Sequence, residues 1–215
     1  MGITTLFTVD EFYNNPWKIR KFALTAGYPK PPKGTTYPGR NSEKSYYPEW
    51  MDEKISSIVG EPVELSPGQM NGGFRVSLKG DTYEQDIHVD PVSENLYAGV
   101  LYLSDPEHCI DENGNQYSGT KLWRHRELGW ERVPITPEEG EKFGFTSYDQ
   151  LRSEVIERDG IDRSKWVETA DVKMAFNRMI IFRPWMWHSA GVPDGIGDNL
   201  LNGRLVQIFF WSRKK

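Results

Sequence analysis

His88-Val89-Asp90 is the stretch on which the reading of this chain turns, together with His188 a hundred positions on and Arg204 at the head of the apolar run Arg204-Leu-Val-Gln-Ile-Phe-Phe-Trp211. In a β-strand residues i and i+2 point to the same face about 6.6 Å apart, so His88 and Asp90 can lean toward one point while Val89 packs on the other side. That pair is half of a metal site. A third donor must come from elsewhere in the fold, and His188, just past the apolar run Met179-Ile-Ile-Phe182, is placed to supply it. Three protein donors leave coordination positions open, which separates a catalytic centre from a closed structural one. With 4 His and 31 acidic residues in 215, an H-x-D spacing alone arises about half the time by chance. The order of the surrounding elements therefore decides its meaning.

That order is β-rich. From position 63 onward, short β-type runs dominate, at 74–78, 83–89, 96–103, 121–126, 167–174, 179–182 and 204–211, separated by Gly, Pro, Asn and Asp turns, which suggests a sandwich or jelly roll. Helical signals cluster earlier. Pro16 follows Asn15 at a first-turn position, and Ile19, Phe22, Ala23 and Ala26 recur at helical spacing before Gly27. A second helix begins near Pro48, carries Met51, Ile55 and Ile58 on one face and stops at Gly60. Two capping boxes, Thr136-Pro-Glu-Glu139 and Ser147-Tyr-Asp-Gln150, mark short helices in an insertion between strands. The expected organisation is a single domain over 1–215, with an N-terminal helical elaboration over 1–62 and a β core over 63–212. The segment 28–48, rich in Pro and Gly and carrying Lys30, Arg40 and several tyrosines, is too long for an ordinary connection and reads as a lid, a linker or an irregular segment packed on the core.

His88-Val89-Asp90, Ala98-Gly-Val-Leu-Tyr-Leu-Ser104, Ser118-Gly-Thr-Lys-Leu122, Asn177-Arg-Met-Ile-Ile-Phe182 with His188, and Gly203-Arg-Leu-Val-Gln-Ile-Phe-Phe210 resemble the successive core strands of Fe(II)/2-oxoglutarate-dependent oxygenases, in particular the prolyl-4-hydroxylase-like branch and its bacterial and phage relatives. The resemblance covers about residues 63–212. It implies a mainly β fold with flanking helices and a double-stranded β-helix (jelly roll, cupin-like) core. It implies that His88, Asp90 and His188 bind Fe(II), that Arg204 holds the far carboxylate of the cosubstrate 2-oxoglutarate, that Tyr102 reaches the same carboxylate, and that O2 is consumed. The set of two histidines and one carboxylate is the facial triad used by non-heme Fe(II) oxygenases. Asp90 speaks against a halogenase, in which a small residue replaces the carboxylate. One departure is the spacing from His188 to Arg204, which is longer than the family's usual interval and leaves Arg183 and Arg178 as rivals; the intervening residues 192–203 are rich in turn formers.

Each of these residues also has a plainer role open to it: Asp90 before Pro91 can start a turn, His188 can be a core histidine, Arg204 a surface strand charge and Tyr102 a core aromatic. His125 is a rival ligand without a carboxylate at strand spacing and reads as structural or substrate-facing; His108 lies among loop residues and reads as solvated. An alternative function is a cupin-like metal-binding module without oxygenase turnover, which would have no need of a guanidinium at the end of its pocket. A sugar-binding jelly roll is disfavoured, because Ca²⁺ takes oxygen donors rather than imidazoles.

Composition is that of a soluble globular protein, and the resemblance implies a small-molecule or peptidyl substrate. A net charge of −5 gives no field to attract nucleic acid as a whole. Cys109 stands alone, so no internal disulfide forms and a reducing compartment such as the cytoplasm is expected. No apolar run approaches the roughly 18 residues of a membrane span, and the N-terminus lacks the apolar stretch of a signal peptide. The resemblance implies hydroxylation of a C–H bond, with the substrate and oligomeric state left open.

Overall fold

A computed structural model describes residues 5–30, 37–67, 70–81, 85–90, 96–142, 144–145 and 147–214. Among the described residues, ten strands form two antiparallel sheets. The larger contains β1 (Leu6–Val9), β2 (Arg40–Ser45), β3 (Val63–Leu65), β4 (Gly73–Ser77), β5 (Tyr97–Tyr102), β8 (Met179–Phe182) and β10 (Arg204–Arg213), in the order β1-β8-β5-β10-β4-β2 with β3 on the end of β10. The smaller runs β7-β6-β9, from β7 (Trp166–Lys173), β6 (Ser118–His125) and β9 (His188–Ala190).

Strand alternation sorts the larger sheet into two faces. On β10 the odd positions Leu205, Phe209 and Trp211 join Phe74, Val76, Leu101, Met179 and Ile181 in the main core, which α1 (Pro16–Ala23) covers with Ile19 and Ala23 and α2 (Met51–Val59) with Met51 and Ile55. The even positions Val206 and Ile208 face the other way, with Ala98, Ile180 and Phe182, toward Val172 and Tyr117 of the smaller sheet's side. The helices begin and end as their sequences imply: the Asn15 side chain accepts from the Lys18 amide, and Gly60 closes α2 in the left-handed conformation at φ 78°. At both expected capping boxes the N-cap half forms, the Glu139 amide donating to Thr136 Oγ1 ahead of α3 (Pro137–Lys142) and the Gln150 amide to Ser147 Oγ ahead of α4 (Tyr148–Leu151), which runs on into a π-helical turn over Arg152–Glu157. The Glu139 carboxylate turns to Arg132 and the Ile135 amide instead of closing the box.

Residues between β6 and β7 build a second core behind the smaller sheet, where Trp123, Trp166 and Trp187 meet Val133, Val155 and Ile156. Ile87 and Val89 are part of it. The Ile87 amide donates to the Gly160 carbonyl, which pins the chain segment carrying His88.

Two expectations about elements need correction. The strand expected over 83–89 is reduced, among the described residues, to one bridge in which His88 and His188 exchange both peptide hydrogen bonds; positions 82–84 lie outside the described residues. The segment 28–48 is not irregular throughout, since Arg40–Ser45 forms the edge strand β2 against β4; positions 31–36 lie outside the described residues. A polar edge strand buries one side only and carries little apolar signal.

Candidate metal centre

The H-x-D spacing works as its geometry requires. Ile87 and Val89 go into the second core, and His88 and Asp90 turn to the opposite side. The His88–His188 bridge then sets the third donor beside them. The ring centroids of His88 and His188 are 4.5 Å apart, His188 Nε2 lies 3.3 Å from Asp90 Oδ2, and one donor atom from each of the three residues falls within 4.8 Å of the others.

Both imidazoles are oriented from behind. His88 Nδ1 lies 2.8 Å from the Asp86 carbonyl and His188 Nδ1 2.8 Å from the Met186 carbonyl. A proton on each Nδ1 satisfies those carbonyls and leaves each Nε2 lone pair free for a metal, the usual arrangement of ligating histidines. Asp86 is anchored in turn by Arg163, whose Nε and Nη2 reach its carboxylate at 2.6 and 3.2 Å. Burial and the neighbouring charge of His188 pull His88 down to about 4, against an opposing pull from Asp90, so it is neutral and ready to bind. Burial alone would lower His188 and raise Asp90, but their mutual attraction and hydrogen bond win, raising His188 and lowering Asp90. The donor set of two nitrogens and one oxygen suits a divalent transition metal with positions left open.

The three residues line a cavity of about 340 Å³ between the two sheets. Arg204 also lines it. Its side chain is buried, Nη2 donates to the Gly119 carbonyl at 2.9 Å, and Nε is buried without a hydrogen-bond partner among the described residues. Tyr102 stands beneath rather than in the cavity: it is fully buried, its hydroxyl donates to Thr120 Oγ1 at 2.8 Å, and Thr120 lines the wall. A Cβ at Gly119 would meet the Tyr102 ring at 2.5 Å.

The rivals are committed elsewhere. Arg183 stacks over Tyr97 and pairs with Glu61 at 3.1 Å, and Arg178 forks onto Asp10. His125 is buried with Nε2 2.9 Å from Asp159 Oδ2, and its Nδ1 accepts from the Leu128 amide. Its carboxylate partner comes from 34 residues away, which strand spacing could not reveal. His108 is half-buried at the end of the 3-10 turn Pro106–His108, and Cys109 is buried with its thiol pushed up to about 11 by burial.

One cavity residue escaped the sequence reading. Arg75 on β4 lines the same space. Its strand reads Gly73-Phe-Arg-Val-Ser77, in which Phe74 and Val76 mark the core face and an intervening arginine looks like an ordinary solvent-facing charge. Only the second sheet turns that face inward.

Among solved structures the chain is similar to a prolyl-4-hydroxylase of Pseudomonas putida, at 13% identity and a TM-score of 0.45, covering 98% of this chain and 94% of that one. It is similar to the non-heme alpha ketoglutarate dependent epimerase SnoN from nogalamycin biosynthesis, at 10% identity and a TM-score of 0.48, covering 98% and 79%. It is also similar to iron-bound HygX from Streptomyces hygroscopicus, at 10% identity and a TM-score of 0.40, covering 99% and 83%. No curated protein matches the sequence. Residues 2–210 match the profile of DUF6445, a family of unknown function, and the chain belongs to that family.

Proposed function

We propose that this protein is an Fe(II)- and 2-oxoglutarate-dependent oxygenase whose two facing sheets are the halves of a double-stranded β-helix. The observation that carries the reading is one cavity holding both His88, Asp90 and His188 and a buried arginine, Arg204, with an unpartnered Nε. Bound iron with 2-oxoglutarate and O2 supplies the oxidation, converting a substrate C–H to C–OH while the keto acid becomes succinate and CO2.

The chain's own residues bind and orient. His88 and His188 present Nε2 and Asp90 a carboxylate oxygen, on a frame fixed by the Asp86 and Met186 carbonyls. Arg204 is the partner for the keto acid's distal carboxylate, since a buried carboxylate is costly unless paired and a planar guanidinium offers it a two-point match. Tyr102 acts through Thr120, holding the wall beside Arg204 rather than touching the ligand.

Addition of Fe(II) and 2-oxoglutarate without oxygen should give the weak visible charge-transfer band of a chelated keto acid, lost in His88→Ala, Asp90→Ala and His188→Ala. Tight Fe(II) binding with no band and no succinate in air would leave a cupin-like metal-binding module instead.

A further inference from the structure

We propose that Arg75 is the seat for a carboxylate on the primary substrate, so that the enzyme acts on a small organic acid. This rests on the oxygenase reading and adds a substrate class to it.

Arg75 is held as a recognition element rather than as a structural ion pair. Its Nε donates to Asn41 Oδ1 at 2.8 Å, its Cζ lies 3.7 Å from the Tyr37 ring centroid, and Asn41 Nδ2 reaches the Tyr37 hydroxyl at 2.6 Å, closing a three-membered support. Neither Nη has a hydrogen-bond or ion-pair partner among the described residues. Stacking and one amide oxygen fix the plane of the fork but leave its charge unneutralised, and a guanidinium so presented matches a carboxylate on two points.

The charge balance of the described residues that line the cavity points the same way. Asp86 is taken by Arg163, and Asp90 belongs to the metal set. A divalent ion with Asp90, Arg75 and Arg204 then carries three positive charges, of which dianionic 2-oxoglutarate cancels two. One remains, and a monoanionic substrate closes the account. Burial lowers the Arg75 guanidinium only to about 10, so it stays cationic at neutral pH.

The two arginines also differ in place. Arg204 is 5% exposed at the foot of the wall, whereas Arg75, Tyr37 and Asn41 are all half-buried. Arg75 is within electrostatic reach of both Asp90 and Arg204. The deep arginine suits a cosubstrate that stays through each turnover, and the more open one suits the molecule that enters and leaves.

The test uses the full chain loaded with Mn(II) and 2-oxoglutarate, which binds without turning over. The probes are small monocarboxylic acids, 2-hydroxy and 2-amino acids included, each beside its carboxamide, read by calorimetric affinity and by melting temperature. At least one acid should bind, its carboxamide about tenfold more weakly or worse, and Arg75→Gln should weaken the acid by at least about tenfold while changing 2-oxoglutarate affinity less than about threefold. Arg75→Lys, which keeps the charge and loses the fork, should fall between. If Arg75→Gln melts without cooperativity, Asn41→Ala takes its place and must weaken the acid more than the amide. Equal binding of acid and amide, binding of no acid, or a loss of 2-oxoglutarate affinity in Arg75→Gln equal to that in Arg204→Ala would overturn the proposal. Failure of the wild-type protein to bind 2-oxoglutarate would instead overturn the oxygenase reading itself.

Discussion

His125 and His188 are both buried histidines beside a carboxylate, and what separates them is where the second nitrogen goes. In His125 both nitrogens are spent, on Asp159 and on the Leu128 amide, whereas His188 spends only Nδ1 and turns Nε2 toward Asp90 and the cavity. His125→Ala should therefore leave metal affinity unchanged within about twofold and cost about 2–4 kcal/mol of stability in urea unfolding, through the lost bond to Asp159, which keeps Arg158, a Leu128 amide left without its acceptor, and a cavity beside Trp166. His188→Ala should do the reverse, with metal binding lost and a smaller stability change. An unstable but metal-binding His188→Ala would exchange the two roles. Arg204→Ala should weaken 2-oxoglutarate by about 2–5 kcal/mol, the usual consequence of truncating one side of a buried charge pair, with metal affinity unaltered. A rise in the apparent KM in Arg183→Ala instead would contradict the placement of Arg183 on Glu61.

At the scale of elements, β6 is where the two sheets are joined next to the site. Its Gly119 carbonyl accepts from Arg204 and its Thr120 hydroxyl from Tyr102, so two adjacent residues of the smaller sheet hold side chains of the larger. Gly119→Ala would put a methyl group into the Tyr102 ring. It should move Tyr102 and Arg204 together and weaken 2-oxoglutarate binding by at least about tenfold without touching the metal, since overpacking costs about 1–3 kcal/mol. Tyr102→Phe, which removes only the hydroxyl, should have a milder effect of the same kind. Beyond β6, α3 offers a test of pH dependence. Arg132 forks onto Glu139 at 2.8 Å on both oxygens, and that bond, with the Ile135 amide, pulls Glu139 down to about 2. A depressed carboxylate stabilises the fold above its unfolded value and loses that stabilisation as pH falls toward 2. Glu139→Gln should thus be slightly less stable than wild type at pH 7, by less than about 1 kcal/mol because the pair is partly exposed, and the difference should shrink on acidification. No difference at pH 7 would show that the pair contributes nothing, and a difference that grows in acid would mean that folding does not depress the Glu139 carboxyl. The helices around these pairs were legible in the sequence, because caps and turn glycines act locally. The strands β1, β2, β3 and β9 were not: β2 is a polar edge strand, and β1, β3 and β9 have only four, three and three residues. Arg75 was hidden for a different reason. The alternation of Phe74 and Val76 states which face is core, but whether the opposite face meets water or a second sheet depends on β6 and β9, far along the chain.

Across the whole molecule the site is divided between the sheets. His188 belongs to the smaller sheet and is bridged to His88, while Arg204 and Arg75 rise from the larger. A metal alone engages only the first group. A keto acid that chelates the metal and ends on Arg204 spans both, so its binding adds a tie between layers already joined by the Arg204–Gly119 and Tyr102–Thr120 bonds. Any ligand bound only by the folded state stabilises it by mass action, about 2.7 kcal/mol at a hundred times its Kd. For a chain of 215 residues each kcal/mol raises the melting temperature by about 2–4 °C. Mn(II) at that excess should therefore raise it by about 5–10 °C, and 2-oxoglutarate should add a similar increment only when the metal is present. The variants then separate the two halves of the site. His188→Ala should abolish both increments, because the keto acid has lost its chelating centre. Arg204→Ala should keep the metal increment and lose most of the second. A full 2-oxoglutarate shift without metal would mean that the acid binds by charge alone, and that the two sheets do not share one ligand across the cavity.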